Sequence, residues 1–214
     1  MWAMTDWNFM TAIIVIGLFA LWKLEFIATL LNLKHFPSAV PEELSGLMDE
    51  EKLERARAYQ TTTSKFEIVK SSFSLTVLLG FWFLGGFGKL DVLARSLFQN
   101  EIAVGLFYLS ALFLGQSLIS IPFSIYSTFV IENRFGFNRS TPKVFVMDQI
   151  KGLLLAALLG LPLGAAVLGI FGNVHHAWLW AWIVVTAFQL VLTWLAPSVI
   201  MPLFNKFTPM PDGE

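Results

Sequence analysis

The sequence predicts an all-α fold, a polytopic membrane bundle of five transmembrane helices with a helical cytoplasmic loop, and three observations lead there. Of the 214 residues, 56% are hydrophobic and only 14% charged, against roughly 25% charged in a soluble domain. Too little polar surface is present to cover a core holding 21 Phe and 8 Trp. The apolar residues gather into five runs, each near the ~20 residues a helix needs to cross ~30 Å of hydrocarbon. None of them shows the short alternating segments of barrel strands, and in lipid only helices or closed barrels pair every backbone group. A net charge of −1, with no basic stripe among the aromatics, excludes nucleic acid as a partner. The absence of cysteine excludes disulfides, thiolate metal sites and a cysteine nucleophile.

The spans are expected at about residues 7–26, 68–87, 102–125, 150–171 and 177–200. The first reads as a retained membrane helix rather than a signal peptide, because only Asp6 brings charge before it and no small-residue cleavage site follows. Lys23 and Glu25 enter its pattern two residues apart, on different faces, and suit an interfacial anchor. Between the first and second spans, Asp49 to Tyr59 reads as a solvated helix with acids in its first turn and bases later, and Glu51 and Arg55 form a favourable i, i+4 pair. Pro37 and Pro41 mark the linker into it. Twelve of the 14 basic residues fall on one side of this layout, leaving only Lys89 and Arg95 on the other. By the positive-inside rule the N-terminus is then outside or lumenal and the C-terminus cytoplasmic, in a bacterial inner membrane or an endoplasmic reticulum.

No ionisable residue lies at mid-depth in a span, which argues against a small transporter, as does the lack of an inverted repeat. Gln116, Ser117, Ser120 and Ser124 in the third span, and Thr186, Gln189 and Thr193 in the fifth, suit helix association. Gly160 and Gly164 supply a small-xxx-small spacing around the kink residue Pro162. His175 and His176 are adjacent, so on a helix they would face different ways, and His35 lies on the other side of the membrane. With no His-Glu-x-x-His and no Gly-x-Ser-x-Gly, neither a zinc hydrolase site nor a serine nucleophile elbow is complete, and this chain is expected to bind no metal itself.

The third connection, Tyr126 to Pro142 and on to Lys151, concentrates charged, aromatic and amide groups. Gly136 suits a turn with positive φ, and Asn138 a local hydrogen-bonded turn. Thr141-Pro142 fits an N-cap followed by proline at the first helical position. Such a cluster suits a site-supporting loop.

Here the sequence resembles the N-terminal membrane region of the type I CAAX prenyl proteases, integral-membrane zinc metallopeptidases. The residues that carry the resemblance are Tyr126 to Glu132, then Gly136-Phe137-Asn138, Thr141, Phe145, Asp148 and Lys151, similar to a Glu-x-x-x-Gly-Phe-Asn-x-x-Thr loop. Ala56 to Tyr59, Ala196-Pro197, Pro202 to Phe207 and Gly213-Glu214 agree with it. The resemblance implies that residues 1–208 form an N-terminal transmembrane domain and that 209–214 begin a C-terminal zinc protease domain, the chain continuing past Glu214. It implies zinc in the full-length enzyme, where metal-bound water and a motif Glu cut prenylated or membrane-associated protein substrates. This chain would then contribute chamber wall, lipid-facing entry and the loop near the active site, with Glu132, Phe137, Asn138, Arg139, Thr141 and Asp148 as the implied site-supporting residues and Arg139 or Lys151 as partner of Asp148. The competing expectation is a non-catalytic membrane module that binds partners or lipids.

Overall fold

A computed structural model describes residues 8–37, 39–40 and 49–205. The start of the first span at Trp7, the linker residue Pro41, Lys206 and the 209–214 segment lie outside the described residues. Five helices in the described chain are long and apolar enough to cross a membrane, as the fold class requires. Almost no residue in their most apolar stretches is fully buried, the arrangement for helices whose solvent on that side is hydrocarbon rather than water.

Helix α1, Phe9–Lys34, opens where the Asn8 side chain accepts from the Thr11 amide at 2.9 Å, and the His35 amide closes it on the Leu31 carbonyl. Helix α2, Glu50–Phe83, is 34 residues long, about 51 Å at 1.5 Å per residue. The solvated helix expected at 49–59 is therefore no separate element but the first turns of the second span, propagated without a break because no glycine or proline interrupts residues 50–79. Asp49 caps it by accepting from the Lys52 amide at 2.8 Å. The expected Glu51–Arg55 pair is absent from the ion pairs of the described residues, because Arg55 is turned to the far end of the third span. Helix α3, Gly86–Leu97, occupies the second connection, where no element was expected. Gly85, at φ 73°, makes the bend before it.

Helix α4, Glu101–Tyr126, begins where Asn100 accepts from the amides of Ile102 and Ala103 at 2.9 and 3.2 Å. It runs without interruption through a π-helical segment, Ser127–Glu132, into one last turn, α5, Asn133–Phe135. Helix α6, Pro142–Asn173, is followed by α7, Ala177–Leu195, a second π segment, Ala196–Ile200, and α8, Met201–Phe204. His176, at φ 56°, supplies the left-handed residue between α6 and α7.

The chain divides into two compact units: the residues up to Leu93 with Leu112–Arg139, and Ala94–Ala111 with the residues from Ser140 onward. In the first, α2 meets the latter half of α4 along an aromatic seam. Phe66 stacks on Tyr126 at 5.1 Å, and Phe73 lies 5.3 Å from Phe123, ring pairs contributing about 0.5–1.5 kcal/mol each. In the second unit, glycines let helices α4 and α6 approach. A Cβ on Gly105 would stand 2.7 Å from Leu168 Cδ1, and one on Gly164 3.0 Å from Leu106 Cδ2. Gly160, the other half of the small-xxx-small spacing, faces open space, so only Gly164 of that pair is a packing glycine.

Candidate functional site

The third span ends in a turn whose geometry follows from one glycine. Gly136 adopts φ 74°, ψ 21°, the left-handed conformation open to glycine at least cost. Its amide donates to the Asn133 carbonyl at 3.1 Å, and the Phe137 amide donates to the Glu132 carbonyl at 2.9 Å. These are the two bonds of a Schellman closure, and they pair carbonyls that a helix terminus otherwise leaves open. The Asn138 amide also reaches the Glu132 carbonyl, at 3.3 Å.

The Phe135 carbonyl, which this closure leaves open, is taken by α2. Arg55 Nη2 donates to it, placing a cation at the negative end of a long helix, where the macrodipole favours one. The same guanidinium lies 5.9 Å from the centre of the Phe137 ring. One turn further along α2, Tyr59 meets both phenylalanines edge-on, Phe135 at 5.3 Å and Phe137 at 4.9 Å. Phe135 is buried, as is Ile131 one turn before it. A Cβ on Gly136 would stand 3.0 Å from Arg55 Nη2, so the glycine serves the approach of the guanidinium as well as the turn.

The structure brings together three of the candidate residues, Glu132, Phe137 and Asn138, around this turn. Glu132 and Asn138 are half-buried, while Phe137 and Arg139 are exposed. Among the described residues, no hydrogen bond or ion pair occupies the carboxylate of Glu132. Thr141 and Asp148 have local partners in the other unit. Thr141 caps α6 by accepting from the Val144 amide at 3.3 Å, and Asp148 pairs with Lys151 at 3.2 Å, one of the two partners expected for it. Lys151 also donates to the Leu203 carbonyl at 3.0 Å and lies 5.8 Å from the centre of the Phe204 ring. The fifth span thus ends as the third does: a π segment, a short α-turn, and a terminal carbonyl held by a cation from another helix.

Sequence reasoning missed Arg55 and Tyr59 as partners of the loop. The signal was present in part: Tyr59, Phe66 and Phe73 recur every seven residues, the period of a helical seam, and Arg55 stands one turn before the first.

Zinc does not fit the described residues, since a zinc site needs three or four protein ligands. No group of three His, Cys, Asp or Glu side chains is gathered among the described residues. The rings of His175 and His176 pack against each other at 4.6 Å, and His35 Nδ1 is engaged with the Leu31 carbonyl.

Comparison with known proteins bears on the whole bundle. The profile of a family described as CAAX prenyl protease N-terminal, five membrane helices, matches residues 29–206. The CAAX prenyl protease 1 homolog of Oryza sativa subsp. japonica is 38% identical over 182 residues, covering 81% of this chain and 43% of the relative. The CAAX prenyl protease 1 of Saccharomyces cerevisiae is 34% identical over 187 residues, covering 82% and 41%. The crystal structure of S. mikatae Ste24p superposes with a TM-score of 0.81 at 31% identity, covering 95% of this chain and 49% of that one. The chain therefore spans about two fifths of the length of these curated relatives. With a family profile covering most of its length and the expected five membrane helices in place, the chain is an integral multi-pass membrane protein that belongs to the CAAX prenyl protease N-terminal family.

Proposed function

We propose that this chain is the N-terminal membrane domain of a zinc metalloendopeptidase like the CAAX prenyl proteases. In this reading it forms the chamber wall and the substrate-entry region for cleavage of prenylated or membrane-associated proteins. The observation that carries the reading is the family match across residues 29–206, supported by the likeness in fold at a TM-score of 0.81. Zinc and the hydrolytic groups belong to a C-terminal protease domain that partners this one, since the residues here do not suit the metal. Glu132, Phe137, Asn138 and Arg139 form the loop that faces the catalytic domain, and Thr141 and Asp148 set the start of the next span. The basic residues place that loop and the C-terminus on the cytoplasmic side, with the N-terminus outside or lumenal, in a bacterial inner membrane or an endoplasmic reticulum.

The test is cleavage of a farnesylated peptide and its unprenylated counterpart by the complete natural protein in nanodiscs, before and after chelation and zinc replacement. Cleavage lost with the metal and restored by zinc is the expected result, together with a marked loss of rate for Glu132→Ala and Asn138→Ala at unchanged protein level. Unchanged proteolysis in both variants would remove the loop from the site. A protein that cleaves neither peptide would be a non-catalytic membrane module instead.

A further inference from the structure

Two residues of α2 grip the turn at the end of the third span from outside it. Arg55 holds the Phe135 carbonyl and lies over Phe137, and Tyr59 touches the rings on both sides of Gly136. From Gly136 to Thr141 the backbone is not helical, so the loop's own hydrogen bonds do not define its direction as a continuing helix would. A contact that fixes both ring positions around the left-handed glycine therefore fixes the direction in which residues 137–139 leave the span. Arg55 and Tyr59 are four residues apart and share one face of α2, so a rotation or slide of that helix would carry the turn with it.

From this geometry we propose that Arg55, supported by Tyr59, is a positioning residue. It clamps the end of the third span so that Glu132 and Asn138 are presented to the catalytic side in one orientation. Among the described residues the guanidinium makes no hydrogen bond or ion pair to either side chain: it acts through the Phe135 carbonyl and the Phe137 ring. The proposal rests on the functional reading above and adds a residue to it. Arginine suits the task because its planar fork can donate to a carbonyl while its face lies against an aromatic ring, which a lysine ammonium cannot reproduce.

The experiment compares Arg55→Gln, Arg55→Lys and the control Arg57→Gln in the complete natural protein reconstituted in nanodiscs. Arg57 lies two residues further along the same helix and makes no hydrogen bond, ion pair or cation–ring contact among the described residues, so its substitution removes the same charge from the same helix without touching the turn. Two quantities are read. One is the rate of tryptic cleavage after Arg134 and Arg139, followed by mass spectrometry. The other is kcat and KM on a farnesylated peptide. For Arg55→Gln the loop should be cleaved faster and kcat should fall by about 10- to 100-fold, the scale of a misplacement of about 1 Å remote from the chemistry. KM should change far less, because an interaction realised only in the transition state is lost. Arg55→Lys should recover part of both readouts, and Arg57→Gln should match the wild type in both.

If tryptic cleavage rises in Arg55→Gln while kcat and KM stay at wild-type values, the clamp exists but positions nothing, and the proposal is overturned. Equal tryptic rates in Arg55→Gln and wild type would overturn the clamp itself. A wild-type protein that cleaves no farnesylated peptide would overturn the functional reading and with it the catalytic half of this proposal, while the tryptic rates would still decide the clamp.

Discussion

Replacing Gly136 by alanine tests two physical demands made on one position. At φ 74° the residue is left-handed, which for an L-amino acid costs about 1–2 kcal/mol. The alanine also restricts the unfolded chain, offsetting about 0.4–1 kcal/mol of that. The second demand is steric, since the new Cβ would stand 3.0 Å from Arg55 Nη2, and the guanidinium must retreat by a few tenths of an ångström. Its charge-assisted bond to the Phe135 carbonyl, of a kind that contributes about 1.5–3 kcal/mol, is then weakened. Together these give a loss of about 0–1.6 kcal/mol if Arg55 adjusts and keeps its bond, rising toward about 4.6 kcal/mol if the bond breaks. The assay is reversible unfolding of this chain in mixed micelles, titrated with SDS and followed by tryptophan fluorescence. Gly136→Asn separates the two demands, because asparagine tolerates the left-handed region but carries a Cβ. A double-mutant cycle with Arg55→Ala measures the steric part directly. If the glycine makes room for the guanidinium, the cost of Gly136→Ala shrinks by at least about 0.5 kcal/mol once Arg55 is gone. An equal cost in both backgrounds would refute the steric argument, and a Gly136→Ala that stabilises the protein would refute the conformational one as well.

Three further outcomes follow from the geometry. Gly105→Val should destabilise the same unfolding equilibrium by about 1–3 kcal/mol through overpacking, since Leu168 is already within 2.7 Å of an added Cβ, whereas Gly160→Ala, facing open space, should be neutral or slightly stabilising; equal effects would mean that α4 and α6 do not approach as described. Thr141→Ala should cost about 0.5–2 kcal/mol by removing the cap of α6, and Thr141→Ser, which keeps the hydroxyl, should restore it; a threonine needed for its methyl group would lose as much with serine as with alanine. The Asp49 carboxyl is held below its ordinary value of 3.8, chiefly by the hydrogen bond from the Lys52 amide and then by the Lys52 side chain. A depressed folded-state value means that this contribution is present above the ordinary pKa and lost as pH falls through the folded one, so the Lys52 amide resonance should titrate with a midpoint below 3.8; a midpoint at or above that value would contradict the cap.

Much of the site was legible along the chain because its parts are local. A glycine flanked by phenylalanines announces a left-handed turn, and Thr141-Pro142 announces a helix start; both appear as such, at Gly136 and at the Thr141 cap. The two π segments were not legible, because a single widened turn leaves no periodicity of its own. Helix α3 was missed because its apolar stripe merges with the end of the second span, and only the bend at Gly85 divides them. The Glu51–Arg55 pair was a sound local expectation that a distant partner displaced. A carbonyl at the end of a long helix competes better for a guanidinium than an exposed carboxylate one turn away, whose attraction water screens.

What the sequence by itself determined is the solvent and the class of fold. Hydrophobic excess, run length and the need to pair every backbone group are properties of the chain read in one dimension, and they leave helices in a bilayer as the consistent solution. Only the tertiary structure decided which basic residue meets which helix end. Arg55 and Phe135 stand 80 residues apart, and along the chain only the seven-residue aromatic spacing that begins one turn after Arg55 separates it from Arg57. The difference is the rotation of α2 about its axis, set by where Tyr59, Phe66 and Phe73 find their aromatic partners on the third span. That rotation turns one arginine onto the carbonyl at the end of a membrane helix and its neighbour away from it.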